Sequence, residues 1–222
     1  MKLQKSFLLA IMAGALSVSA QATTLTFDFA GTFASTNYGP HGSAVSGSIS
    51  YDTATTGPAY SDGSANYALS SITFTESNFT GAYSGDASYS LSSPFLTVFN
   101  NFMGGSFDML QYSGVVGVTS NTVTGFGSPV TPIWQTAYLT LSSNSGTAVT
   151  SQALPTSMPT LSDFSSAQLN LYYGGGHFFD TFAITNITAH EAPSDAAPEP
   201  ASWGLLSLGV AGMALLRRRR SA

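Results

Sequence analysis

Apolar and polar residues alternate along most of this 222-residue chain. Leu25, Phe27 and Phe29 alternate with Thr24, Thr26 and Asp28, and Val45, Ile49 and Tyr51 with serines. Leu139 and Leu141 alternate with Tyr138 and Thr140; Leu169, Leu171 and Tyr173 alternate with Gln168, Asn170 and Tyr172. Successive side chains of an extended backbone point to opposite faces, so each run predicts a strand with one buried face. The runs are separated by turn clusters such as TNYGPHGS, TTGPAYSDGS, NNFMGGS, SSNSGT and YYGGGH. In these, Gly supplies positive φ and Asn or Asp bonds its own backbone. Between Thr23 and Ala189 no helical period is present. The segment SQALPTSMPTLSDFSS, residues 151–166, breaks the rhythm and is expected to form a long loop with one short helical turn. Serial short strands joined by polar turns predict a single all-β domain over residues 23–188, an antiparallel β-sandwich or jelly roll.

The two termini follow different rules. Lys2 and Lys5 precede the apolar run FLLAIMAGALSV, and Ala20-Gln21-Ala22 follows it. A short positive region, an apolar stretch too short to span and an A-x-A site predict a signal peptide over residues 1–22, recognised at Ala20 and Ala22 and cut after Ala22. At the other end, AHEAPSDAAPEP (residues 189–200) neither packs nor pairs well and reads as an extended linker. Residues 201–220 then predict a membrane helix with a basic end. Trp203 to Leu216 carries no charge, and as a helix it covers about 21 Å of a hydrocarbon core ~30 Å thick. Such a segment crosses only by thinning the bilayer or recruiting its flanks. Trp203 suits the outer interface, and Arg217, Arg218, Arg219 and Arg220 hold the C-terminus in the cytoplasm.

Charge narrows the partners of the part between. All six Lys and Arg lie outside the stretch from Asp28 to Glu199, which holds all eleven acids, so the net −5 of the chain (6 − 11) conceals a passenger of −11. Nucleic acid is excluded as a partner, because neutralising phosphates requires a basic surface. Anionic lipid headgroups are disfavoured for the same reason. Charged residues are 8% of the chain against about 25% in ordinary soluble domains, so the polar surface is left to Ser, Thr, Asn and Gly. Cysteine is absent, which removes disulfides, thiolate metal sites and a thiol nucleophile together.

Candidate chemistry is sparse. The histidines are His41 in a Gly/Pro turn, His190 beside the linker, and His177 in GGGHFFD with Asp180 three residues on. In a regular strand positions 177 and 180 face opposite sides, so a catalytic pair needs a bend there. No G-x-S-x-G, H-E-x-x-H or P-loop is present. Paired Asp and Glu for glycoside hydrolysis are set by the fold rather than by spacing, but of the three Glu (Glu76, Glu191 and Glu199) the latter two lie in the tail, and the expectation is no enzyme and no cofactor. Asp62-Gly63-Ser64-Ala65-Asn66 alternates oxygen ligands in a glycine turn: a calcium loop through Asp62, Ser64 and Asn66, or simply a turn. Tyr38, Tyr60, Tyr83, Tyr172 and Tyr173 serve either to stack on sugar rings or to fill the core.

Pro198-Glu199-Pro200, a glycine-bearing apolar helix and an arginine cluster at the extreme C-terminus resemble the PEP-CTERM sorting signal of Gram-negative, exopolysaccharide-producing bacteria. The resemblance covers residues 197–220 and departs at Ala197, where Val is usual. It implies that an exosortase-type enzyme acts at Pro198, Glu199 and Pro200 and removes the helix, so the inner membrane is a transient partner. A plain C-terminal anchor on a proline-rich stalk is the alternative. The stretch from Val45 to Phe74, a strand ending in Tyr-Asp, then a loop and another strand, is similar to a pattern in exported proteins with this tail and carries no activity. The expectation is a non-catalytic cell-surface or extracellular-matrix protein. Its alternative is a carbohydrate-binding or glycan-modifying β-sandwich whose partner is extracellular polysaccharide.

Overall fold

The computed structural model describes residues 23–37, 41–79, 83–125, 128–129, 134–173 and 178–190. The alternating runs form strands in the order β1 (Thr24–Thr36), β2 (Gly42–Asp52), β3 (Ser64–Ala68), β4 (Ser71–Phe79), β5 (Tyr83–Ser84), β6 (Ala87–Phe99), β7 (Asp108–Asn121), β8 (Thr124–Gly125), β9 (Ser128–Pro129), β10 (Thr136–Ser143), β11 (Ser166–Tyr173) and β12 (Phe178–Ala189). Among the described residues the helical elements are two three-residue 3-10 turns, Phe102–Gly104 and Leu161–Asp163, the second inside the expected loop.

The all-β class holds, but the predicted sandwich is corrected to a closed barrel. Eight antiparallel strands form the wall in the order β1-β2-β4-β6-β7-β10-β11-β12, each beside its successor, and β12 pairs back onto β1 from Phe27↔Ala189 to Thr36↔Asp180. β3 continues the line of β4: β4 pairs with the first half of β6 and β3 with the second. Among the described residues the wall is one continuous closed sheet rather than the two facing sheets of a jelly roll, with β5, β8 and β9 forming a separate three-stranded sheet; closure satisfies the wall's edges directly. The bending that closure demands is supplied by register shifts on β1 and β6, where Ser93 takes φ 48°, and the wall packs closely at Gly47. A Cβ on Gly47 would run into the Phe29 ring and the Thr73 carbonyl, so only glycine lets β2 pass there.

An eight-stranded barrel is just wide enough for side chains to fill. Phe27, Tyr51, Tyr112, Leu139, Leu171 and Phe182 are fully buried inside it, with the Phe27 and Tyr112 rings edge to face at 5.7 Å. Each such side chain contributes about 1.5–3 kcal/mol. On β2, β4 and the first half of β6 the outward positions, such as Ser48, Ser50, Thr73, Thr75 and Ser88, are polar. No helix among the described residues is long and apolar enough to cross a membrane; Trp203 to Leu216, where such a helix is expected, lies outside the described residues, as do the predicted signal peptide and its site at Ala20 and Ala22.

One end of the barrel is corked by residues 144–165. Val149 and Leu154 are buried, while Met158, Leu161 and Phe164 pack against the core. Tyr51 donates to the Pro155 carbonyl at 3.0 Å and Tyr67 to that of Gln152 at 2.8 Å. Buried Asp108 accepts from the backbone N–H of Asn101 at 2.9 Å and of Val149 at 3.1 Å, tying the β6–β7 connection to the cork.

Candidate functional site

At the opposite end, where β1, β4, β7 and β11 finish, two carboxyls stand inside the barrel. In Ile72-Thr73-Phe74-Thr75-Glu76 the inward phase of β4 falls on residues 72, 74 and 76, so Glu76 points into the core and is fully buried. One of its oxygens accepts from the Tyr89 hydroxyl at 2.8 Å and from Trp134 Nε1 at 3.0 Å, the other from the Gly42 N–H at 3.3 Å. Burial raises the pKa of Glu76 above the usual carboxylate value; the bonds from Tyr89, Gly42 and Trp134 and the nearby His41 work against that rise. The His41 ring stacks on Phe33 at 3.7 Å between centroids, and Phe33 in turn meets Phe182 edge to face at 6.1 Å.

Asp180 shares the inward phase of β12 with Phe182 and Ile184 and is likewise fully buried. Among the described residues neither of its carboxyl oxygens has a hydrogen-bond partner. Burial pushes its pKa up to about 7 and the charge of Glu76 raises it; the neighbouring Thr36 hydroxyl works against the rise but donates its own bond to the Phe179 carbonyl at 3.3 Å. The two acids therefore oppose each other's ionisation from within a filled interior, and neither is open to solvent.

The residues singled out from the sequence are mostly dispersed. His177 and Tyr38 lie outside the described residues, as do Pro198, Glu199, Pro200, Trp203 and Arg217 to Arg220 of the expected sorting signal. His41 sits just before β2 against Phe33, and His190 is exposed just past β12. At the calcium candidate, Asp62 accepts from the Ser64 hydroxyl at 2.7 Å and the Ser64 N–H at 2.9 Å, which holds its carboxyl below the usual range, while the side-chain Oδ1 of Asn66 accepts from the Thr97 hydroxyl at 2.8 Å. This is the geometry of an Asx turn closed by Gly63 at φ 92°. Tyr83 and Tyr173 pack against the core, and Tyr60 is exposed.

Tyr172 belongs to a row that the sequence did not reveal. On the outer wall of β10, β11 and β12, Tyr172 stands opposite Phe179 and diagonal to Tyr138, with ring centroids 6.4 Å and 5.6 Å away. The next register line runs from Phe95 through Ser113, Tyr138 and Asn170 to Thr181, and the one after from Thr97 through Gln111 and Thr140 to Gln168. Phe95 and Val115 are exposed on the same wall. None of these positions is charged. The other side of the barrel is different in kind. Across β12, β1, β2, β4 and β6 the wall hollows into a groove of about 480 Å³ whose outward side chains include Asp28, Ser46, Ser48, Thr73, Thr75 and Asn186. Hydroxyls dominate that groove.

The tail is where comparison with known proteins adds to the geometry. Residues 196–220 match the PEP-CTERM protein-sorting motif. The chain carries a PEP-CTERM sorting signal. The matched segment includes the Pro-Glu-Pro triplet, the apolar stretch and all four arginines, as the sequence led us to expect. A PEP-CTERM signal implies an exported, membrane-anchored precursor that an exosortase processes on its way to the cell surface. No curated protein and no solved structure matches the chain.

Proposed function

We propose that this chain is a non-catalytic protein of the cell surface or extracellular matrix, a filled β-barrel delivered by a PEP-CTERM tail. The match over residues 196–220 carries the reading. The barrel supports it: the acids best placed for chemistry, Glu76 and Asp180, are buried inside, and a domain with eight acids, no Lys or Arg and a hydroxyl-rich outer surface suits a hydrated polymer environment. In the proposed sequence the apolar segment halts in the bilayer, Arg217 to Arg220 keep its end cytoplasmic, and Pro198-Glu199-Pro200 is held at the outer face for exosortase. Mass spectrometry of the native protein tests this. A mature chain lacking Trp203 to Arg220 is expected, and replacing Pro198, Glu199 and Pro200 with alanine should make an uncut form accumulate in the inner membrane. Recovery of the surface protein with its arginines attached would refute the reading. A second reading, glycan binding, is favoured by the aromatic row of Tyr138, Tyr172 and Phe179 on the outer wall.

A further inference from the structure

We propose that the uncharged outer wall of β6, β7, β10, β11 and β12 is a binding face for a neutral polysaccharide, with Tyr138, Tyr172 and Phe179 as its aromatic platform. This deepens the glycan-binding reading and rests on it. A sugar ring presents a C–H face beside hydroxyls that both donate and accept. It is matched by an aromatic surface flanked by amides and hydroxyls rather than by either alone. The wall has that mixture. The three half-buried rings run across adjacent strands, over about 10 Å at the usual strand spacing. Tyr172 is edge-on to Tyr138 at 77° and tilted 44° from Phe179, so each offers its own face or edge rather than a share of one flat plane. The neighbouring register lines add Asn170, Thr140, Gln111 and Gln168. Thr181 donates to the Asn170 carbonyl oxygen at 2.9 Å, which fixes the amide and leaves its N–H₂ group as the donor.

Charge selects among occupants. An acidic polymer is repelled by a barrel that carries eight acids and no Lys or Arg over residues 23–188. A second copy of the chain meets the same repulsion. A basic protein would seek carboxylates, and the positions on these register lines have none. A neutral glycan is the class with no such penalty. The groove on the opposite side offers hydroxyls and Asp28 without an outward ring, so it serves as the internal control.

The test is affinity electrophoresis of the full-length chain, purified in detergent, through native gels containing barley β-glucan, hydroxyethylcellulose or galactomannan, with alginate as the acidic comparison. Retardation is expected in at least one neutral polymer and not in alginate. Tyr138→Ala and Tyr172→Ala should each weaken binding about tenfold, whereas Tyr→Phe at either position and Thr73→Val in the opposite groove should stay within about twofold. Retardation in none of the neutral polymers overturns the proposal. So does unchanged binding by alanine variants that keep their melting temperature and strand-type circular dichroism. If sedimentation instead shows a dimer that Tyr172→Ala disperses, with no effect of glycan, the wall is a contact between copies and the proposal fails. Protease shaving of intact cells reads the location separately: a surface-exposed chain that ignores every polymer removes the binding face and leaves the sorting reading standing.

Discussion

Asp108 and Asp180 are both fully buried in one barrel, at opposite ends. Asp108 accepts two backbone N–H groups, from Asn101 and Val149, and so joins a strand, a connection and the cork. Asp180 has no hydrogen-bond partner among the described residues and shares its surroundings with a second acid, Glu76. Burial is the same; what differs is whether the charge is wanted. A carboxylate that satisfies orphaned donors stabilises the fold, whereas one without donors does so best when it keeps its proton.

The largest effect is expected at Asp108. Asp108→Ala leaves two amide donors without their acceptor and should cost about 3 kcal/mol, seen as a fall in melting temperature of about 8 °C. An unchanged melting temperature would mean that the cork holds without it. Asp180 should behave in the opposite sense. Its folded pKa of about 7 lies above its ordinary value of 3.8, so between those values the folded chain holds a proton that the unfolded chain releases. Stability should therefore decline from about pH 4 to pH 7 and level off above. Asp180→Asn should remove the Asp180 share of that decline, leaving the part that buried Glu76 contributes, and should raise the melting temperature at pH 8 by about 5 °C with little change at pH 4. A variant less stable than the parent at pH 8 would contradict this sign. The smallest effect tests the cork again: Tyr51→Phe removes only the bond to the Pro155 carbonyl and should cost about 1 kcal/mol in a chemical-denaturation midpoint.

Both acids could have been found by phase alone. Glu76 continues the inward series of Ile72 and Phe74, and Asp180 precedes Phe182 and Ile184 at the same spacing, so an acid at a core position was written in the period-two pattern. The strands themselves were legible for the same reason: Phe27, Ile49, Leu139 and Leu171 all face inward as the alternation demands. Closure was not. The alternation is equally consistent with a sandwich, because the pairing of β12 with β1 depends on bulges, which turn the wall without leaving a periodic trace. The aromatic row was hidden too, since Tyr138, Tyr172 and Phe179 lie far apart in sequence and meet only through the registers of β10, β11 and β12. The tail was readable because its motif is contiguous, with no long-range contact needed to assemble it.

The seam between β1 and β12 also sets the order of events in time. Phe27 meets Ala189 and Phe29 meets Ile187, so the contacts that shut the barrel join nearly the first and last residues of the domain. Loop-closure entropy makes such contacts late, and a wall built from sequential hairpins can grow from its early strands while its two margins wait for each other. For a chain that emerges N-terminus first, β1 keeps one unpaired margin until residue 189 has been released, and an unpaired margin recruits other strands. The molecule is therefore most exposed to aggregation during delivery rather than at rest, and slowing the release of its last strand should cost more yield than weakening any single contact inside it.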